Sequence, residues 1–139
     1  MKNSVFLDTS FSLAIAIPKD ANHKRAIEIS RTLANSRTEI ITTQAIVLEI
    51  GNALSGAKHR PFAVQIISRL QEEPNISIVS ISDELIDKAF ELFSDRADKE
   101  WGMIDCVSFV VMREYGLNSA LTADAHFVQA GFRALLRED

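Results

Sequence analysis

The sequence predicts an α/β fold, a short and mostly parallel central sheet covered by helices on both faces. Three observations predict it. Short apolar or β-branched runs at residues 4–7, 39–42, 76–79 and 119–121 alternate with longer stretches of helical periodicity. The intervening stretches are long enough for the crossovers that parallel pairing requires. The 139 residues, 47% of them hydrophobic, suit one domain over 1–139 with one core, and the 5 Gly and 3 Pro leave little material for linkers.

Taken in order, Ser4-Val5-Phe6-Leu7 reads as a buried strand, and residues 9–17 as a helix stopped by Pro18. Residues 21–37 place Ala26, Ile27, Ile29, Leu33 and Ala34 along a helical face. Glu39-Ile40-Ile41-Thr42 is a second strand. Thr42 or Thr43 caps a helix over 44–54, with Ile46, Val47, Ile50 and Leu54 as its core stripe. Gly51 weakens that helix by up to about 1 kcal/mol relative to Ala, which predicts a packing reason for it. Pro61 suits the first turn of a helix running to about residue 71. Residues 76–79 form a strand. Ser82 caps a helix through Leu85, Ile86, Ala89, Phe90 and Phe93, and the polar run 94–100 reads as a loop or frayed end. A helix over 103–115 stops at Gly116, residues 119–121 form a strand, and residues 132–135 are a candidate for another.

Several classes are excluded. No apolar run approaches the roughly 20 residues of a membrane helix, and the start of the chain is too short and too quickly acidic for a signal peptide. Cys106 is the single cysteine, so no internal disulfide forms; a buried inert thiol and a reducing cytoplasm are expected. The net charge of −4 argues at first against a nucleic-acid partner, but two divalent cations would bring the sum to −4 + 4 = 0. Local basic groups then decide: Lys58-His59-Arg60, the Arg25/Arg31/Arg37 series, and Arg133 with Arg137. Each of these reads equally as solvated surface charge.

Four isolated acids stand in apolar settings. Asp105 lies in Trp101-Gly102-Met103-Ile104-Asp105-Cys106-Val107-Ser108-Phe109, with no Lys or Arg between 101 and 112 to pair with it. It is expected to be buried, so it needs neutralisation, a distant partner or a metal. Asp8 ends the first strand, where it is either a helix cap or a ligand. Glu49 borders the apolar stripe of its helix beside Asn52, and otherwise reaches water. Asp124 sits in Thr122-Ala123-Asp124-Ala125-His126-Phe127, after a strand, as a cap or a ligand. Thr122 is placed to hydrogen-bond a carboxylate or water, and His126 is expected to be a partly exposed structural histidine. Sites in parallel sheets lie beyond the carboxyl ends of the strands; Asp8 and Asp124 follow strands, and the helices that carry Glu49 and Asp105 are expected to lean over the same edge. Convergent carboxylates suit a hard cation such as Mg²⁺, which keeps waters and leaves room for phosphate oxygens. The absence of a Cys/His cluster argues against zinc. Water activated by such a metal attacks a phosphodiester in line.

The stretches Phe6-Leu7-Asp8-Thr9-Ser10, Val47-Leu48-Glu49-Ile50-Gly51-Asn52, Asp98 to Cys106, and Leu121 to Phe127 with Gly131-Phe132 resemble the PIN domain, in particular VapC-like toxin ribonucleases. The order of motifs matches over nearly the whole chain; Gly102 stands where members often carry Ser. The resemblance implies a three-layer α/β/α fold and Mg²⁺- or Mn²⁺-dependent cleavage of RNA. It carries the catalytic and metal-binding roles to Asp8, Glu49, Asp105 and Asp124, with Thr9, Asn52 and Thr122 in support. Asp98 stays outside that set. Lys58 and Arg60 are the candidates for RNA contact. The resemblance further implies a toxin of a type II toxin–antitoxin pair, a homodimer, and a small antitoxin partner. The alternatives are an RNA-processing nuclease of the same fold without an antitoxin, a non-catalytic binding module, and a haloacid-dehalogenase-like phosphatase. The last would want a second Asp two residues after Asp8, where Ser10 stands.

Overall fold

The computed structural model describes residues 3–138; Met1, Lys2 and Asp139 lie outside that range. Five strands, β1 (Ser4–Leu7), β2 (Glu39–Thr43), β3 (Ile76–Val79), β4 (Ser119–Leu121) and β5 (Arg133–Ala134), form one sheet in the order β3-β2-β1-β4-β5. Every pairing is parallel, so the sheet is wholly rather than mostly parallel. The helices α1 (Thr9–Ala16), α2 (His23–Ala34), α3 (Gln44–Ala53), α4 (Arg60–Glu72), α5 (Asp83–Asp95), α6 (Met103–Glu114) and α7 (Ala125–Gln129) cover it in a three-layer α/β/α arrangement. A 3₁₀ turn at Leu135–Arg137 follows β5. No helix among the described residues is long and apolar enough to cross a membrane.

Local chemistry accounts for the boundaries. Thr43 rather than Thr42 caps α3, its hydroxyl accepting from the Ile46 N–H at 3.3 Å. The Thr42 hydroxyl instead donates to the Leu7 carbonyl at 2.9 Å, tying β2 to β1. Ser82 caps α5 by accepting from the Leu85 N–H at 3.1 Å. This helix runs on through Ser94 and Asp95, the first two residues of the polar run that reads as a loop or frayed end. At the end of α6, Gly116 adopts φ 66°, while Leu117 N–H bonds the Met112 carbonyl and Gly116 N–H that of Arg113. That is a Schellman stop, and it requires the left-handed conformation glycine allows. Gly51 has no tight neighbour: a Cβ there meets only Ile67 Cδ1 at 3.7 Å, so the expected packing reason is absent.

The strand order places the site. From β1 the chain moves to β2 on one side, whereas β4 pairs on the other, so the crevice between the carboxyl ends of β1 and β4 is the topological switch point. Leu7 pairs with Leu121, and the Asp8 N–H bonds the Leu121 carbonyl at 3.1 Å. The residues that follow the two strands therefore emerge side by side. An aromatic cluster beneath the crevice holds α6 and α7 to the sheet. Phe109 meets Trp101 and Phe127 edge-on at 5.0 Å each, and Phe127 lies 6.2 Å from Phe6. Phe6, Phe109 and Phe127 are fully buried, and their burial is the main stabilising term in this part of the core.

Candidate active site

Asp8, the first residue past β1, is the most buried of the four acids at 7% exposure. Its carboxylate does not cap α1. Instead Oδ2 accepts from the Thr122 hydroxyl at 2.6 Å and from the Ser10 hydroxyl at 3.1 Å. Burial pushes its pKa up from 3.8 to about 6, against the lowering effect of those hydrogen bonds and the Thr9 N–H, with a small further rise from the Glu49 charge. Thr122 is fully buried and also accepts from the Asp124 N–H at 3.0 Å. Ser10 accepts from the Ala123 N–H at 2.9 Å. The two hydroxyls clamp the loop after β4 against the end of β1.

Glu49 is half-buried on α3, and the Thr9 hydroxyl donates to its Oε1. It lines a cavity of about 400 Å³ with Asn52, Leu48, Ile86, Met103 and Ile104. Asn52 is exposed and makes no hydrogen bond to a site group among the described residues.

Asp105 corrects one expectation. It is not a buried charge in an apolar helix: its side chain is 19% exposed and sits in the first turn of α6, where it suits the helix dipole. Its Oδ2 accepts from the Gly102 N–H at 3.1 Å, the reach-back of a third-position acid to a capping residue, and from His126 Nδ1 at 2.9 Å. His126 is the distant partner that the lack of a local Lys or Arg demanded. Asp124 caps α7, its Oδ1 accepting from the His126 N–H at 2.8 Å. Ligand-type atoms of Asp105, Asp124 and His126 lie within 4.8 Å of one another. Asp8 joins this group through Thr122, and Glu49 through Thr9 beside Asp8.

A common pattern runs through the four acids. Each accepts at least one hydrogen bond on a particular oxygen: Asp8 Oδ2, Glu49 Oε1, Asp105 Oδ2 and Asp124 Oδ1. Glu49 Oε2, Asp105 Oδ1 and Asp124 Oδ2 accept no hydrogen bond among the described residues. Oriented carboxylates with spare oxygens are the donor set a hard divalent cation takes.

Ser10 and the Gly102 N–H were not singled out from the sequence. Both act through local spacing: Ser10 two residues after Asp8, Gly102 three before Asp105. Asp98 pairs with Arg96 in solvent, outside the site. Lys58 is exposed, and Arg60 Nε bonds the Ser55 carbonyl at 3.0 Å; neither contacts any of the four acids among the described residues. Arg137 does reach the site loop, donating from Nη1 to the Ala123 carbonyl at 3.2 Å. Arg133 is occupied by Glu138. Cys106 is fully buried, and burial followed by the nearby Asp105 charge pushes its thiol up, in keeping with an inert cysteine.

A parallel sheet with carboxylates gathered at the switch point defines a class, and the sequence profile of the PIN domain matches residues 5–133. The chain belongs to the PIN domain family, whose members are nucleases acting on phosphodiester bonds with divalent metal. It is similar to the 23S rRNA-specific endonuclease VapC20 of Mycobacterium tuberculosis (strain CDC 1551 / Oshkosh), with 28% identity over 129 residues, 92% of this chain and 95% of that one. The protein of the same name in strain ATCC 25618 / H37Rv matches equally. The crystal structure of M. tuberculosis VapC20, described as a sarcin-ricin loop cleaving toxin, superimposes with a TM-score of 0.80 at 26% identity, again over 92% of this chain and 95% of that one.

Proposed function

We propose that this chain, one PIN domain over 1–139, is a divalent-metal-dependent endoribonuclease and the toxin of a type II toxin–antitoxin pair. The observation that carries the reading is the grouping of Asp105 and Asp124 beside Asp8 at the β1/β4 switch point, with Glu49 tied in through Thr9. Asp8, Glu49, Asp105 and Asp124 would hold Mg²⁺ or Mn²⁺. When bound, such an ion would supply charge neutralisation at the scissile phosphate and a more acidic water. The chain's own residues do the rest. Thr122 and Ser10 hold Asp8 in a fixed orientation, Thr9 does the same for Glu49, and the loop at 122–124 keeps Asp124 at the crevice mouth. RNA backbone would be guided by Lys58 and Arg60. The similarity to VapC20, a 23S rRNA-specific endonuclease, supports RNA as substrate; the small antitoxin partner and the cytoplasmic setting follow from reading the chain as a VapC-like toxin. A homodimer is supported by the apolar face of α5, where Ile86, Phe90 and Phe93 stand exposed at helical spacing.

The test is cleavage of a sarcin–ricin-loop oligonucleotide and of total RNA with Mg²⁺, Mn²⁺ or EDTA. Cutting that depends on metal and is lost in Asp105→Asn supports the reading; metal-independent cutting, or none by wild type, overturns it. A short reading frame beside the gene, whose product suppresses the cutting, identifies the antitoxin and separates this reading from an RNA-processing nuclease.

A further inference from the structure

His126 touches two of the four acids, Asp105 and Asp124, from two different atoms. Its backbone N–H donates to Asp124 Oδ1 at 2.8 Å, and its ring Nδ1 lies 2.9 Å from Asp105 Oδ2 and 3.4 Å from Asp124 Oδ1. A carboxylate has no hydrogen to give, so Nδ1 is the donor in the bond to Asp105. We propose that His126 is the positioning residue that fixes the separation of Asp105 and Asp124, and so sets the grip of the site on its cation. This rests on the metal reading above.

The surroundings make the bridge stiff. His126 is followed by Phe127, fully buried and edge-on at 5.0 Å to Phe109 of α6, the helix that carries Asp105. Trp101, just before α6, donates from Nε1 to Gln129 Oε1 of α7 at 3.1 Å. The helices α6 and α7 are thus joined at two further points, one before Asp105 in the chain and one after it. With Gly102 N–H and His126 Nδ1 both on Asp105 Oδ2, the plane of that carboxylate is set and Oδ1 is left for a cation. Outer groups that orient metal-binding carboxylates typically carry about 10–100-fold in metal affinity.

The experiment uses the whole protein and Mn²⁺ alone as probe, with affinity read by titration calorimetry. His126→Ala should weaken Mn²⁺ binding about 10–100-fold while its melting temperature in EDTA stays near that of wild type. His126→Asn should recover most of the affinity, because its amide N–H falls where Nδ1 was; His126→Gln, whose amide reaches the Nε2 position, should not. This ordering is what a merely space-filling histidine would not produce, and the Asn and Gln pair decides the matter even if the Ala protein fails to fold. Wild-type affinity in His126→Ala, or equal affinities in the Asn and Gln variants, overturns the proposal. Electron spin-echo measurements on the Mn²⁺-loaded wild type provide the second arm: a directly bonded ¹⁴N signal would make His126 a ligand rather than a positioning residue, and its absence supports the bridge. A wild type that binds no Mn²⁺ overturns the metal reading itself, and this inference with it.

Discussion

The Thr122 hydroxyl donates to Asp8 Oδ2 at 2.6 Å across the gap between the ends of β4 and β1. The bond joins residues 114 positions apart, and it is available because Leu7 and Leu121 are register partners. It lowers the Asp8 pKa, yet burial outweighs it and leaves that group at about 6.

The sign of the consequence follows by linkage. A carboxyl whose folded pKa lies above its unfolded one binds more protons in the folded state between the two values, so stability falls as pH rises through that window. For Asp8 the window runs from 3.8 to about 6. At about 1.4 kcal/mol per unit the loss is on the order of 3 kcal/mol, complete above the folded pKa. In EDTA, Asp8→Asn should therefore melt higher than wild type at pH 7.5, with the difference vanishing towards pH 4. Parallel melting curves across that range would show that Asp8 is not held as described.

Thr122→Val removes the donor to Asp8 and the acceptor of the Asp124 N–H in one step. Both are buried or partly buried, and a group stranded in this way costs about 1–3 kcal/mol. The variant should lose stability of that order at pH 7.5 and show an Asp8 pKa raised further. Denaturant unfolding and a pH titration of stability measure both. Thr122→Ser, which keeps the hydroxyl, should restore most of the loss.

How much of this was legible in the sequence differs by residue. The strands and the helices α3 and α4 follow from periodicity, Pro61 and β-branched runs, because local chemistry and tertiary packing agree there. The short helix α7 was not legible. It is held by Asp124 as cap and by Phe127 against Phe109, a contact that pattern alone cannot anticipate. The exact end of α5 is not legible, because exposed polar residues look alike in a loop and on a solvent-facing helix; the polar run is helical only as far as Asp95. Asp105 drew attention for a sound reason with the wrong detail: the apolar phrase around it belongs to the buried face of α6, while the carboxylate itself points to the half-open rim and finds His126. Asp8, which its sequence position allows as either a cap or a ligand, does not cap α1 and is the most buried of the four acids. Burial of a single side chain depends on strand order, and strand order lies beyond any local window.

Gly51 lies inside α3 with no positive φ, and a Cβ there would meet only Ile67 Cδ1 in ordinary contact at 3.7 Å. Gly51→Ala should stabilise the protein by up to about 1 kcal/mol, read as a shift in denaturant midpoint with unchanged slope. A destabilised variant would reveal a requirement for close approach that the 3.7 Å contact with Ile67 does not contain.

Lys58 and Arg60 should act on RNA binding rather than chemistry, since neither touches the acids. Each phosphate contact releases counterions, and on single strands contributes about 0.7 to the slope of log affinity against log salt. The Lys58→Ala/Arg60→Ala protein should bind RNA more weakly, with a slope reduced by about 1.4 if both contacts are made. Filter binding from low to moderate salt gives the slope; an unaltered slope moves the RNA path elsewhere, with Arg137 beside Ala123 as the next cation to examine.

Asp105→Asn separates metal grip from fold. The amide keeps an oxygen for the Gly102 N–H and the His126 ring, so α6 and α7 should stay docked. The negative charge is lost, and with it a strong cation ligand. A ligand that binds only the folded protein stabilises it by about 2.7 kcal/mol at a hundredfold excess over its dissociation constant. Mn²⁺ should therefore raise the wild-type melting temperature by several degrees, and the variant's by much less. RNA cleavage should be abolished in the variant, while its circular dichroism matches wild type. In EDTA the variant should melt slightly higher, because one charge is gone from a cluster whose like charges repel. That gain should be smaller than for Asp8→Asn, because Asp105 is part-exposed and partnered by His126, whereas the main cost at Asp8 is burial. Melting series of the three proteins, with EDTA and with increasing Mn²⁺ at fixed ionic strength, order the effects. Equal metal-induced shifts in wild type and Asp105→Asn would remove Asp105 from the set of ligands, and leave its bond to His126 as a purely structural tie between α6 and α7.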